Sequence, residues 1–507
     1  MHCSSRLPLS IFTCAFLLTL PLAATAAEPE PHPLRGLYSI WAKPEQQSLP
    51  FLRGGQLMLQ WADVQPAADK YDFSTLDKAL AMAAANDRPI TVQINGNQHP
   101  EFLFRQVPYV SEKLSVQVRD QRGTLQYWHP TYREAYLKFL AAYGQHVKNS
   151  PHTKGLLGVR LNFNAVGTEH MTVPKQYIDP ASWTQPPGVS PGPKWTREVA
   201  NEYKEAVIDA FVANLTPEVL VFVRNNAVEE LERNPKWQAM LDEGRLGLFH
   251  TSSEIEPHSV GTERQYLAFL KYCRPGKTLA YAESWADAWG RHGGGPDPRW
   301  CHPAQYNYWR LLVDLNCGVS FIAVYGNDLK HSNEPEFRAA FDFARKYAGY
   351  HASPSAAPGA WIALREGDYL KGDYTFLMDR LPGDESKAVK LAGPEDQRYG
   401  AWARVVPAGG RMRLKLNETL AARLANEPAV LRVVYLDADR GKLDLQVGKQ
   451  KFGLTLSGTG RWQLAELPIP PDAAGAEAAM IELRPETDLT LHMIEVDLSG
   501  KGAQPKQ

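Results

Sequence analysis

Eight short apolar runs separated by helical periodicity constrain this chain more than any other feature. They are GLYSIW (36–41), GGQLMLQW (54–61), PITVQIN (89–95), LLGVRLNF (156–163), VLVFVRN (219–225), LGLFHTS (246–252), KTLAYAE (277–283) and CGVSFIAVYG (317–326). All are apolar on both faces, as strands covered on both sides by helices are, whereas a one-sided sheet alternates. Between them lie amphipathic patterns: FSTLDKALAMAAAND with Ser74 as its N-cap, HPTYREAYLKFLAAYGQHV with Pro130 in its first turn, ANEYKEAVIDAFVANL, QYLAFLKYC, AQYNYWRLLVDLN and SNEPEFRAAFDFARKYAGY. Eight strand–helix units predict an α/β chain whose residues 28–350 form a (β/α)8 TIM barrel. The rival, an open doubly wound sheet, lacks a G-x-G-x-x-G turn after its first strand.

The texture changes after residue 350. YHASPSAAPGA reads as a linker, placed at 351–360, because it is rich in Ser, Ala, Pro and Gly. RMRLKL, VLRVVYLD, KLDLQVG and LTLHMIEVDL then alternate apolar with polar, with turn-forming ADRG, SGTG and PDAAG between them. Residues 361–500 are therefore expected to be a smaller antiparallel β-sandwich, which braces the barrel or binds sugar; bracing is the simpler expectation.

The N-terminal 27 residues read as a cleaved signal peptide. Arg6 precedes the apolar run SIFTCAFLLTLPLA, and ATA and TAA offer small-residue cleavage sites. Export to the periplasm or beyond is expected, with no membrane span after cleavage. Cleavage removes Cys3 and Cys14 and leaves Cys273, Cys301 and Cys317, so at most one internal disulfide. Cys273 with Cys301 is the favoured pair, and Cys317, before an apolar strand, reads as a buried thiol. No Cys and His spacing suggests zinc, and neither metal nor cofactor is expected. With 55 Lys and Arg against 56 Asp and Glu, the chain lacks the basic surplus of an electrostatic nucleic-acid binder. Nothing in the sequence fixes its oligomeric state.

In a barrel, active sites are built at the C-terminal ends of the strands. The second run ends QWADVQP, the third QINGNQHP, the fourth NFNAVGTEH, the fifth RNN, the sixth HTSSEIEP, the seventh ESWADAW and the eighth YGND. The fourth is apolar where it fills the barrel and polar where it reaches the mouth, and most of the others do the same. Carboxylates suited to acid/base or nucleophilic work are few there: Glu169 follows the fourth strand and Glu283 ends the seventh. Two carboxyls flanking one bond suit glycoside cleavage, one protonating the leaving oxygen and the other attacking the sugar.

The stretch QWADVQPAADKYDFSTLDKALAMA (60–83) resembles the W-x-x-x-x-P…G-x-Y-D-F…L-D motif of clan A glycoside hydrolases, among them family 42 type β-galactosidases and agarase-like barrels, which carry a β-sandwich behind the barrel. The resemblance covers residues 36 to 350 and implies Glu169 as acid/base and Glu283 as nucleophile. Three positions depart from the clan. Thr168 stands where it has Asn before the acid/base, Ala68 to Lys70 replace its Gly before Tyr71, and Tyr325 stands where a Trp often ends strand eight. Asn164 is the candidate for the displaced amide's work on a sugar hydroxyl; satisfying backbone groups in the following turn is its other reading.

Substrate-binding candidates at the strand ends are Trp61, Asn95, Asn162, Asn164, His170, Asn225, Glu254, Trp285, Tyr325 and Asp328. Glu254 or Glu256 would supply the acid if Glu169 points away. Asp287 reads as a local cap or pair. His99, His250 and His292 are cleft or structural histidines in equal measure. Trp183, Trp195, Trp285, Trp289 and Trp300 stack on sugar rings or pack their own loops. HGGG (292–295) has no G-x-S-x-G elbow to serve, which sets ester hydrolysis aside. The sequence thus predicts an exported retaining glycosidase acting on an oligo- or polysaccharide, or alternatively a silent barrel or scaffold that binds an exported polysaccharide.

Overall fold

The structure is a computed structural model that describes residues 30–41, 44–250, 266–284, 287–289, 302–365, 372–390, 392–471 and 480–499. The eight apolar runs form eight parallel strands: β1 (Gly36–Ile40), β2 (Leu52–Gln60), β3 (Ile90–Asn95), β4 (Leu156–Arg160), β5 (Val221–Arg224), β6 (Leu246–His250), β7 (Ala280–Ala282) and β8 (Phe321–Tyr325). Each pairs with its neighbours in chain order, and β8 closes on β1 with Tyr38 opposite Ala323.

Alternate side chains divide the strands between two cores. Tyr38, Phe222, Phe249, Tyr281 and Phe321 fill the barrel interior. Phe222 lies 5.7 Å from Tyr281 and 5.8 Å from Phe321, ring centre to ring centre. Room for that ring comes from Gly158 on β4 and Gly247 on β6. A Cβ there would come within 2.7 Å and 2.6 Å of Phe222, so any larger residue at either position forces the plug apart. Val159, Val221, Val223 and Leu248 belong instead to the core between the strands and the helices.

The helices include α1 (Ser74–Ala85), α2 (Pro130–Asn149), α3 (Arg197–Leu215), α4 (Pro235–Asp242), α5 (Leu267–Tyr272), α6 (Pro303–Asn316) and α7 (Pro335–Tyr347). Ser74 is the first helical residue of α1 rather than its cap. The carboxylate of Asp72 accepts from the Ser74 N–H at 2.9 Å, doing the same work two residues earlier. Pro130 opens α2 as the sequence indicates, with His129 accepting from the Thr131 N–H.

Helix α6 departs from its amphipathic pattern, since every residue from Pro303 to Asn316 is buried. The C-terminal domain covers the face the barrel leaves open. Trp309 of α6 packs edge-on against Trp402 at 4.9 Å, and the Tyr308 hydroxyl lies 2.9 Å from His492 Nε2. That domain consists of two antiparallel sheets. One orders Tyr374–Phe376, Gly359–Ala363, Leu489–Asp497, Trp402–Val406 and Lys387–Lys390, with Ala429–Leu436 and Trp462–Ile469 joined to it; the other orders Met378–Arg380, Met412–Leu416, Met480–Pro485, Arg440–Val447 and Gln450–Ser457. Leu443, Leu445 and Val447 alternate into the core between the sheets.

Cys273 is a free thiol buried under α5, and burial pushes its pKa up. The expected partner, Cys301, lies outside the described residues. No helix among the described residues is long and apolar enough to cross a membrane.

Candidate active site

The polar end of the fourth strand is shaped by three tyrosines and a turn with two left-handed residues, Asn164 and Gly167. Beyond Arg160 the chain leaves the barrel, and its carbonyls accept hydroxyls from the flanking helices. Tyr136 donates to Asn162 O at 2.7 Å, Tyr203 to Phe163 O at 2.6 Å, and Tyr132 to Asn164 O. Asn164 then adopts a left-handed backbone with φ 47°, a conformation that Asn tolerates better than most residues. Its amide N–H donates to Thr168 O, and its side chain donates to Ile94 O at 3.0 Å. Gly167 follows with φ +78°. Its missing Cβ would meet Gln117 Cβ at 2.6 Å, so the turn closes only with glycine there.

This loop turns Glu169 back over the barrel mouth, and Gln117 fixes it there. Gln117 Oε1 accepts from the backbone N–H groups of Thr168 and Glu169, both at 3.1 Å, while its Nε2 donates to Glu169 Oε2 at 3.4 Å. Gln117 comes from the long excursion after β3, which carries a two-residue ribbon of Tyr109–Val110 with Thr124–Leu125.

Glu283 arrives from the opposite wall. It follows β7, its N–H donates to His250 O at 2.9 Å, and it is 8% exposed. Arg160 Nη1 lies 3.2 Å from each of its carboxylate oxygens, and Gln56 of β2 donates at 3.4 Å. The same guanidinium presents Nη2 to Glu169 Oε1 at 3.5 Å. Arg224, at the end of β5, pairs with the other oxygen of Glu169. The two carboxylates are thus brought to a single guanidinium, with a second arginine on the outer one.

Arg160 is almost wholly enclosed, its carbon 3.5 Å from the centre of the Phe249 ring. Burial lowers its pKa, and Glu283 and Tyr281 oppose that. Burial also pulls Arg224 down to about 10, with Arg160 adding repulsion and Glu283 opposing. Tyr325 ends β8 half-buried, its phenol pushed up by burial and then by Glu283.

The remaining sequence candidates divide. Asn95, at the end of β3, accepts from Asn162 Nδ2 at 3.0 Å, so the two form an amide pair at the rim. His170 is exposed, and Asn225 is half-buried in the turn after β5. Asn164 is 0% exposed, which gives it to the turn rather than to a hydroxyl in the cleft. Trp61 is corrected too: it is fully buried, donates to Gln65 at 2.7 Å, and packs among His99, Tyr132, Tyr136 and Phe139. It begins the turn after β2 and anchors that turn to α2.

Asp328 is also buried, and its carboxylate accepts from Ala288 N–H at 2.9 Å. Burial raises its pKa to about 7, against the pull of Arg310. His99 is clamped by Asp120 and Tyr132, and His250 stacks on Tyr266 beneath a helix, so neither lines the mouth. Trp183 packs edge-on against Trp128, Trp195 donates to the Tyr127 hydroxyl at 2.9 Å, and Trp289 stacks on His331 at 3.9 Å. Glu254, Glu256, Trp285, His292 and Trp300 lie outside the described residues. Among the described residues, no group of three or more His, Cys, Asp and Glu is placed to hold a metal.

Sequence reasoning missed Arg160, Arg224, Gln117 and Gln56. The runs themselves offer a signal for the arginines: each is the last residue of a strand that is otherwise apolar.

Residues 57–157 match the glycoside hydrolase 42 family model, described as beta-galactosidase. The match runs from β2 into β4 and ends before either carboxylate. Among solved structures, the native xylanase 10C of Cellvibrio japonicus aligns at 13% identity and TM-score 0.31, covering 58% of this chain and 59% of that one. A mutant of that xylanase in complex with xylopentaose aligns at 13% identity and TM-score 0.33, covering 62% and 64%. Less than two thirds of either xylanase chain is spanned. A xylan-binding domain aligns at 13% identity and TM-score 0.21 over 29% of this chain and 97% of its own. No curated protein matches the sequence. In its closed parallel barrel and in the sequence of β2 to β4, the chain resembles the clan A glycoside hydrolases of the family 42 type.

Proposed function

We propose that the barrel is a retaining glycoside hydrolase that cleaves an oligo- or polysaccharide by double displacement, with Glu283 as nucleophile and Glu169 as acid/base. The observation that carries this reading is the meeting of the two carboxylates at Arg160 from the fourth and seventh strands. Arg160 touches both oxygens of Glu283 and so fixes the orientation of that carboxylate. Glu283 attacks the anomeric carbon while protonated Glu169 gives its proton to the leaving oxygen. Water then breaks the glycosyl–enzyme bond as Glu169 takes a proton from it. Asn95, Asn162, Tyr325 and His170 are the rim groups proposed to meet sugar hydroxyls.

The reading extends to the sequence ends. The first 27 residues would export the protein, and mass spectrometry of the mature secreted or periplasmic form tests this by its N-terminus. The chemistry is tested by ¹H NMR of the first product formed from a cleaved glycan. Retention of the anomeric configuration supports double displacement, and inversion rejects it.

A second reading has its own support: a catalytically silent barrel that binds an exported polysaccharide. Both carboxylates are already ion-paired, and Thr168 replaces the amide that precedes the acid in the clan. Glycan binding without release of reducing ends would favour it.

A further inference from the structure

Glu169 has neighbours that hold it whatever its charge, and their role is an inference that rests on the glycosidase reading of this site. In double displacement the acid/base alternates between carboxyl and carboxylate. The links of Glu169 to Arg160 and Arg224 are ion pairs, so they weaken whenever the group is protonated. Other contacts do not depend on that charge. Gln117 Oε1 accepts from the backbone N–H groups of Thr168 and Glu169, both at 3.1 Å, and the Thr168 hydroxyl donates to Asn97 Oδ1. Gln117 Nε2 lies 3.4 Å from Glu169 Oε2, and a carboxyl group keeps an accepting oxygen in either state. Gln117 itself has a firm base. Arg119 N–H donates to Asn97 O and His99 N–H donates to Asp120, both at 2.8 Å. The Asp120 carboxylate also lies 2.6 Å from His99 Nδ1, and both residues are buried. The excursion is thereby pinned to the residues that follow β3, and Gln117 reaches the Glu169 loop from that anchor. A shift of about 1 Å at a reacting group costs about 10²-fold in rate, so what holds Glu169 while it is uncharged bears on the chemistry.

We propose that Gln117 is the positioning residue of the acid/base, holding Glu169 in place in the uncharged state that gives its proton to the leaving oxygen. The role is exerted through Glu169 and calls for no contact between Gln117 and the sugar.

The test turns on the leaving group, because an acidic phenol departs without a proton while a sugar hydroxyl needs one. The full chain is screened against xylo-, gluco- and galacto-oligosaccharides and the 2,4-dinitrophenyl glycosides of the same sugars, and kcat/KM is read for those it cleaves. Gln117→Ala is expected to lower kcat/KM about 10–10²-fold for the oligosaccharide and about twofold or less for the dinitrophenyl glycoside. Equal losses on both overturn the proposal and leave the glycosidase intact, since a sugar contact or a loosened fold affects both alike. No loss on either overturns it too. Circular dichroism checks that the variant folds. Where it does not, Gln117→Glu decides: it keeps an acceptor for the two N–H groups and sets a second carboxylate beside Glu169, which disfavours ionisation. The basic limb of its kcat/KM profile for the oligosaccharide is expected at higher pH than in wild type, and an unmoved limb overturns the proposal. Failure of wild type to cleave any member of the panel overturns the hydrolase reading and the proposal with it.

Discussion

At the barrel mouth, Arg160 and Arg224 hold Glu169 and Glu283; at the seam between barrel and sandwich, Lys346 and Arg432 hold Glu495 and Asp497. The ingredients are the same and the settings are opposite. Lys346 lies 2.7 Å from both seam carboxylates, Tyr347 donates to Glu495 at 2.6 Å, and Ser499 donates its hydroxyl to Asp497 at 2.6 Å. Burial pushes the Asp497 pKa up, yet Lys346, Ser499 and Arg432 outweigh it and hold the group down at about 2. The adjoining cavity, lined by Tyr308, Tyr399 and Glu495 among others, measures about 80 Å³, far below what a sugar ring needs. Buried ion pairs therefore do not mark function by themselves. The pairs at the strand ends differ in place, because barrels build their active sites there.

The largest effects should separate the two networks by activity. Glu283→Gln is expected to lower hydrolysis on the order of 10⁴-fold or more, and Glu169→Gln by about 10²–10⁴-fold, with melting temperatures near wild type in both. Equal rates in all three proteins would break the assignment of chemistry to the mouth. The seam should respond in the opposite sense. Trp309→Ala removes the ring packed on Trp402 and His492 and is expected to cost about 3–5 kcal/mol in denaturant unfolding. Turnover per folded molecule should stay unchanged; a variant equally stable but inactive would place the seam in the reaction.

Acid should act through the seam. His492 is enclosed by Tyr308, Trp309, Tyr399 and Trp462, and burial lowers its pKa to about 3 against the pull of the Trp402 carbonyl. The unfolded chain takes up this proton near its ordinary value of about 6.5. The stability that neutral His492 contributes is therefore complete above that pH and is lost as pH falls toward 3. His492→Gln should flatten the decline of melting temperature across that window, and an unchanged slope would contradict it.

The smallest effect concerns the mouth. Asp328 has the opposite sign, since its raised pKa favours the protonated folded state and stability is lost as pH rises through about 7. Asp328→Asn keeps an acceptor for Ala288 N–H without the charge. Its melting temperature relative to wild type should be higher at pH 8 than at pH 5. A larger advantage at pH 5 would reverse the account.

The barrel was legible because eight runs apolar on both faces leave few other closures, and the sandwich because its alternation has a period of two. Packing between domains was not legible: α6 carries a surface-like pattern, and only the C-terminal domain explains why Gln305 is buried, since it donates to the carbonyls of Glu395 and Gln397. Trp61 shows how a motif misleads. Its spacing to the following proline marks a turn pinned to α2, so the ring serves the fold and not the sugar. Glu169 and Glu283 were singled out from their strand ends, and the structure brings both to Arg160. Arg160 was hidden as one charge within an apolar run, and Gln117 because no local pattern says which excursion residue will reach a loop about fifty positions away.

The most direct measurement is reducing-end release from a panel of oligosaccharides by wild type and Glu283→Gln, run beside calorimetric binding by both. Release by wild type that Glu283→Gln loses while still binding is the result predicted for a catalytic mouth. Binding by wild type with no release would contradict it and make the barrel a receptor for the glycan.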